Sequence, residues 1–217
     1  MNKIYVILLL IALVCVIVYL FLRKRTLYSS DQIFIGTNNE PQNLMIVAHP
    51  DDELIFGGRE LLNKNNWKVV CITNGTSKAQ DKFTLDKTNR KKEFINIMNF
   101  LKCSYEIWDY EDNLFNANWN TELLLNNLKR VINEKDYQMI LTHNLQGEYG
   151  HVQHIMVSKL VHQLKPKNLY VFDHDEKQKN SDCDLLCKLG RKFYSSQVDI
   201  ITKHYKDIMH QSIKKNI

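Results

Sequence analysis

The stretch Leu44-Met45-Ile46-Val47-Ala48-His49-Pro50-Asp51-Asp52-Glu53 constrains the fold more than any other part of the chain. An apolar run of strand character ends abruptly in an imidazole and three carboxylates. Pro50 keeps His49 out of helical geometry, and its own fixed φ suits a helix start. Asp51, Asp52 and Glu53 then fall in a first helical turn, where negative charge suits the helix dipole. The stretch reads as strand, sharp turn, helix. In an open α/β sheet the carboxyl ends of strands are where ligands bind. A turn needs a polar cap, but it does not need His beside three acids. Packed together, such groups repel or share a cation, and neutral imidazole with carboxylate is a usual half-set of zinc ligands. The plainer alternative is a helix cap with a solvated acidic turn.

A second stretch has the same form. The apolar run Tyr137-Gln138-Met139-Ile140-Leu141 leads into Thr142-His143-Asn144-Leu145-Gln146-Gly147-Glu148-Tyr149-Gly150-His151-Val152-Gln153-His154. His151 and His154 are three apart at the start of a helical pattern, so they share a face. One can complete a metal site while the other faces substrate. Two solvated histidines on a helix are the alternative.

Between and after these stretches, apolar runs alternate with helical spacing. Leu54 to Asn65 reads as a helix and Trp67 to Thr73 as a strand, with a turn at Asn74-Gly75. Phe83 or Thr84 to Leu101 has helical spacing. Ser104 to Asp109 reads as a strand, followed by a polar and aromatic loop to Asn118. Thr121 to Glu134 is a helix, Tyr137 to Thr142 a strand, Gly150 to Leu164 a helix, and Leu169 to Phe172 a strand. The remainder is mostly helical. This alternation predicts an α/β fold, a Rossmann-like three-layer sandwich with a mostly parallel sheet covered on both faces.

The chain has 217 residues, enough for one such domain and one further segment. Ile4 to Leu22 is apolar or Tyr throughout, long enough to span a bilayer as a helix. Tyr19-Leu20-Phe21-Leu22 followed by Arg23-Lys24-Arg25 offers no small-residue cleavage site, which favours an uncleaved anchor over a signal peptide. The expected organisation is an anchor with its basic flank over 1–25, a polar tether over 26–42, and a catalytic domain over 43–217. Basic residues concentrated after the span predict a cytosolic catalytic domain. The net charge is +5; without Lys3, Arg23, Lys24 and Arg25, 25 basic residues face 24 acidic ones. A nearly neutral domain gives no reason to expect nucleic acid as a partner. The five cysteines form no disulfide framework and fit reduced thiols. Cys183 and Cys187 are four apart, but they, His143 and His174 receive no role.

Ala48-His49-Pro50-Asp51-Asp52-Glu53 resembles the first signature of the LmbE-like / PIG-L family of zinc-dependent N-acetylglucosaminyl de-N-acetylases. Gly147-Glu148-Tyr149-Gly150-His151-Val152-Gln153-His154 is similar to its second. Thr73-Asn74-Gly75, Arg90-x-x-Glu93 and Tyr194-Ser195-Ser196-Gln197 resemble supporting segments, so the likeness covers residues 43–200. Many members carry Pro-Asp between the two histidines, where this chain has Val152-Gln153.

The resemblance implies zinc ligands at His49, Asp52 and His154. Other divalent metals, iron or cobalt among them, also suit such a set. It further implies that zinc activates a water for attack on an acetamide carbonyl, releasing acetate and a free amino sugar. Asp51 is then the general base, or else a group that only orients His49. His151 stabilises the oxyanion as imidazolium or protonates the departing amine. Tyr149 donates to the oxyanion or merely packs. Arg90 is a candidate for binding sugar or phosphate, equally able to pair with Glu93, and Asp112 a candidate for sugar hydroxyls. Glu53 reads as a helix-start charge. The implied substrate is N-acetylglucosaminyl-phosphatidylinositol at the endoplasmic reticulum membrane, in glycosylphosphatidylinositol-anchor synthesis. A soluble or glycan-linked N-acetyl amino sugar is the alternative. The alternative of another class is a non-catalytic, membrane-tethered binding module.

Overall fold

The computed structural model describes residues 12–14, 16, 34–63, 66–75, 90–113, 116–173, 183–194 and 212–215. The chain divides into two compact units, 1–31 and 32–217. In the first, Ala12, Leu13, Val14 and Val16 are helical, and the rest of the apolar run Ile4–Leu22 lies outside the described residues. Among the described residues no helix is long and apolar enough to cross a membrane.

The second unit is built on a seven-stranded sheet. Its strands are β1 Phe34–Gly36, β2 Asn43–Val47, β3 Trp67–Thr73, β4 Ser104–Tyr110, β5 Met139–Thr142, β6 Leu169–Asp173 and β7 Ser212–Lys215. Their order is β1-β4-β3-β2-β5-β6-β7. The five central strands are parallel, and β1 and β7 pair antiparallel at the two edges. The sheet is therefore mixed, with a parallel centre as the alternation of elements predicts. From β2 the chain winds outward through β3 and β4, then returns to lay β5 and β6 on the other side. The carboxyl ends of β2 and β5 meet where the winding reverses, and open α/β sheets bind ligands at such a point.

β2 is buried along its whole length, as a central strand covered on both faces must be. Its side chains alternate. Met45 and Val47 enter a core with Leu54, Leu61, Phe94, Ile97, Leu186 and Tyr194. Leu44, Ile46 and Ala48 enter a second core with Leu124, Leu128, Val131, Val157 and Val161. The helices are α1 Asp52–Ile55, α2 Gly58–Asn63, α3 Arg90–Phe100, α4 Thr121–Ile132, α5 Gly147–Gly150, α6 Val152–Gln163 and α7 Cys183–Phe193, and all but the short α5 supply core partners. α1 to α3 and α7 cover one face, and α4 and α6 the other.

Several boundaries differ from the periodicity. The helix expected from Leu54 to Asn65 is broken between Ile55 and Gly58. A Cβ on Gly57 would lie 2.4 Å from the Met45 methyl, so the chain passes directly over β2 there. The helix expected from Gly150 begins at Val152 instead, after the separate turn of α5. Phe34–Gly36 lies inside the stretch read as a tether and pairs with β4. Ser212–Lys215, read as helical, is an edge strand on β6. Edge strands of three and four residues are too short to carry a periodic signal.

Candidate active site

The loops after β2 and β5 build the site. β2 and β5 run side by side with Ile46 opposite Thr142, and the Thr142 hydroxyl donates to Ile46 O at 2.9 Å. Both loops thus begin at the same level of the sheet. His49 and Asp52 come from the first, and His143, Glu148, His151, Gln153 and His154 from the second. Asp51 caps α1 with φ 121°, a strained value for a residue with a side chain. The same turn brings the His49 amide to within 2.8 Å of Asp52 Oδ2.

Three atoms converge. His49 Nδ1 lies 3.1 Å from Asp52 Oδ2 and 3.1 Å from His154 Nε2, and His154 Nε2 lies 3.3 Å from Asp52 Oδ2. All three residues are buried. The remaining ring nitrogens fix the tautomers. His154 Nδ1 faces Glu148 Oε2 at 2.7 Å, and His49 Nε2 faces Gln153 Oε1 at 2.6 Å. Those partners accept, so each ring holds a proton there and, when neutral, has its free lone pair on the inner nitrogen. Each then directs a lone pair at the other and at a carboxylate oxygen. Three acceptors facing one another with no proton between them ask for a cation. Four ligands held tetrahedrally at zinc distances stand about 3.3 Å apart, which matches these separations. The residues therefore fit a divalent metal. His151 also lies within ligand range of His49 and His154, as His143 does of Asp52 and His154.

Charge at the site follows from its partners. Burial opposes ionisation of Asp52, but His154 and His49 outweigh it and hold the carboxyl well below its usual range. Burial pushes Asp51 up to about 6, against the pull of Arg90. Burial also pushes Glu53 up to about 8, opposed by the hydrogen bond from the Tyr194 hydroxyl, 2.5 Å from Oε1. Glu53 Oε2 accepts from the Asp51 amide at 3.0 Å, so Glu53 braces the turn from beneath. His151 is pushed down to about 4 by burial and by the neighbouring His49 and His154. Its Nδ1 accepts from the Gln153 amide at 3.3 Å and caps α6, which leaves the proton on Nε2.

Arg90 and Asp112 sit at the site's edge. Arg90 Nη1 donates to Asp112 Oδ2 at 2.6 Å, and Nη2 to Asp51 Oδ2 at 3.1 Å and Pro50 O at 2.8 Å. Asp112 Oδ1 lies 3.6 Å from His49 Nε2. Tyr149 is 66% exposed at the rim, stacked on Phe56 and edge-on to His151 and His154.

His143 and Glu148 are part of the site although sequence reasoning gave them no role. The Ala48 amide donates to His143 Nε2 at 3.0 Å, and His143 Nδ1 faces Glu148 Oε2 at 2.8 Å. Burial opposes charging His143, whereas Glu148 and Asp52 push its pKa up to about 9; the Ala48 amide needs a lone pair on Nε2 and favours the neutral ring. One carboxylate oxygen of Glu148 thus orients two imidazoles. Glu148 reaches them from a left-handed backbone position, φ 58°, between Gly147 and Tyr149. Asn144 steadies that turn by accepting from the amides of Gln146 and Glu148. The available signal was positional: His143 ends the β5 run as His49 ends the β2 run.

A mixed α/β sheet with a His–Asp cluster at its switch point agrees with the family match, which puts the chain among amide-hydrolysing deacetylases. The chain belongs to the PIG-L family, described as GlcNAc-PI de-N-acetylase, whose model matches residues 44–165. It is 51% identical over 195 residues to an uncharacterized protein of Acanthamoeba polyphaga mimivirus, covering 87% of this chain and 86% of that one. It is 21% identical over 158 residues to the N-acetylglucosaminyl-phosphatidylinositol de-N-acetylase of Saccharomyces cerevisiae, covering 66% of this chain and 51% of the yeast enzyme. Among solved structures, a triple-mutant deacetylase of the teicoplanin biosynthetic pathway shares the fold. It has a TM-score of 0.60 and 13% identity, over 81% of this chain and 99% of that one.

Proposed function

We propose that the chain removes the acetyl group from an N-acetylglucosaminyl conjugate with a divalent cation, zinc in the first instance, held by His49, Asp52 and His154. The observation that carries this reading is the triangle of His49 Nδ1, Asp52 Oδ2 and His154 Nε2, with edges of 3.1 to 3.3 Å. A metal held there would lower the pKa of a bound water towards neutrality and polarise the acetamide carbonyl. Asp51 takes the proton of the attacking water and passes it to the departing nitrogen as the C–N bond breaks, so that acetate and a free amine leave. Its pKa of about 6 lies near the operating range of a general base, and Arg90 holds its Oδ2 in place. His151 is neutral and offers Nε2–H to the developing oxyanion. Tyr149 stays protonated, because burial and the nearby carboxylates push its phenol upward, and it offers a second donor from the rim. Asp112 Oδ1 accepts from a sugar hydroxyl. The Arg90 fork is engaged by Asp51, Asp112 and Pro50, so Arg90 acts on substrate by positioning those carboxylates.

We read the favoured substrate as N-acetylglucosaminyl-phosphatidylinositol. Support comes from the family description, the yeast relative and the apolar run Ile4–Leu22. That run followed by Arg23-Lys24-Arg25 suits a single anchor with the catalytic unit on the cytosolic side of a membrane, the endoplasmic reticulum in a eukaryotic cell. There a lipid-linked sugar would lie within reach. A soluble N-acetyl amino sugar is the second reading. It is favoured by the uncharged residues Tyr149 and Gly150 exposed at the rim and by the teicoplanin-pathway deacetylase of like fold.

The test is acetate release by the full chain in detergent from the lipid-linked sugar and from free N-acetylglucosamine, each with and without a chelator. Chelator-sensitive release from the lipid alone supports the favoured substrate. Equal release from the soluble sugar supports the second reading. Release that ignores the chelator sinks the metal reading.

A further inference from the structure

The fully buried side chain of Gln153 joins two parts of the site that share no backbone. Its Nε2 donates to Glu111 O at 3.1 Å and to Asn116 O at 3.0 Å. Both amide protons are therefore used on the segment that carries Asp112. Turning the amide over would set its oxygen against two carbonyl oxygens, so the network fixes the assignment. Oε1 must then face His49 Nε2, at 2.6 Å. An amide oxygen only accepts. His49 consequently carries its proton on Nε2 and presents the Nδ1 lone pair to Asp52 and His154.

We propose that Gln153 is a positioning residue, a neutral clasp that selects the metal-binding tautomer of His49 and ties it to the Glu111–Asn116 segment. This rests on the metal-centre reading above. The side chain's two ends have separable duties. The oxygen end governs His49, and the NH2 end governs the position of Asp112. A carboxylate at 153 would keep the first duty and lose the second, since its free oxygen would face the carbonyls of Glu111 and Asn116. An aliphatic side chain would lose both.

The experiment compares the full-length wild type with Q153E and Q153L. The histidine tautomers of the metal-free proteins are read by nitrogen-15 NMR. Zinc affinity is read by competition with a chromophoric chelator, and amide exchange over Glu111–Asn116 by mass spectrometry. The wild type should hold His49 as the Nε2–H form. Q153L should show mixed tautomers, zinc affinity lower by about 10- to 100-fold, and faster exchange. Q153E should keep the tautomer and bind zinc far more tightly than Q153L, yet exchange as fast over Glu111–Asn116. A wild type with the proton on Nδ1 overturns the proposal, as does folded Q153L with unchanged zinc affinity. Q153E that loses zinc as fully as Q153L overturns it too. A wild type that binds no zinc but holds Nε2–H supports the clasp and sinks the metal reading instead.

Discussion

Arg90 Nη2 donates to Asp51 Oδ2 at 3.1 Å while Nη1 of the same guanidinium donates to Asp112 Oδ2 at 2.6 Å. One side chain from α3 thus spans the loops after β2 and β4. Asp51, in its strained turn, is held from the side, and Asp112 is set beside His49. Arginine suits this task because its planar fork presents several donors in fixed directions.

Replacing Asp51 by Asn removes the base and leaves the three converging ligand atoms. Zinc content measured by elemental analysis should match wild type. Acetate release should fall by about 10²- to 10⁴-fold, the usual worth of a positioned acid–base group. Turnover at the wild-type rate would mean that Asp51 only orients its neighbours.

Replacing Arg90 by Met leaves two buried carboxylates without their shared cation. Removing one partner of a buried pair costs about 3 kcal/mol, so urea denaturation should show a loss of that order. Arg90→Lys should recover part of the stability but little of kcat, because a point charge cannot reproduce the fork. Full kcat in Arg90→Lys would remove the positioning role.

Gly75 supports that arginine. Its φ is +74°, and a Cβ there would lie 2.7 Å from Arg90 Cβ and 3.2 Å from Pro50 Cγ. Gly75→Ala should cost about 1–3 kcal/mol from backbone strain alone and should lower kcat by displacing Arg90. Unchanged stability would show that the turn relaxes freely.

Away from the site, Glu106 lies fully buried on β4. It accepts from Lys68 Nζ at 2.8 Å, Arg130 Nη2 at 2.5 Å and Trp108 Nε1 at 2.9 Å. Burial opposes its charge, but the hydrogen bonds from Arg130, Lys68 and Trp108 prevail and hold its pKa below the ordinary 4.5. A depressed folded-state pKa adds stability that is complete above the unfolded value and is lost as pH falls through the folded one. The unfolding free energy of wild type should therefore drop on acidification below 4.5 more steeply than that of Glu106→Gln. Equal slopes would show that Glu106 does not supply this dependence.

The parallel centre of the sheet was legible because Leu44–Val47 of β2, Val69–Ile72 of β3 and Met139–Leu141 of β5 are apolar runs, as suits doubly covered strands. The turn after β2 was legible because Pro50 and three acids leave few backbone options. His49, Asp51, Asp52, His151 and His154 stand out as chemistry-bearing residues just beyond strand ends, and the structure gathers them. Gln153 and Glu148 were not legible as partners of His49 and His154. Their roles depend on tertiary contacts that spacing along the chain does not encode. Arg90 could be read with Glu93 on its own helix, but only the fold brings Asp51 and Asp112 to it. The break at Gly57 was hidden for the same reason, since it answers to Met45 on a neighbouring strand.

One cation, held by His49, Asp52 and His154, should be required for acetate release. The direct measurement strips the full chain with a chelator and titrates zinc back while acetate release from an N-acetylglucosaminyl conjugate is followed. Stripping should abolish release and one zinc per chain should restore it fully, with no recovery in His154→Ala. Undiminished release from the stripped protein, or recovery in His154→Ala at the same stoichiometry, would contradict that requirement.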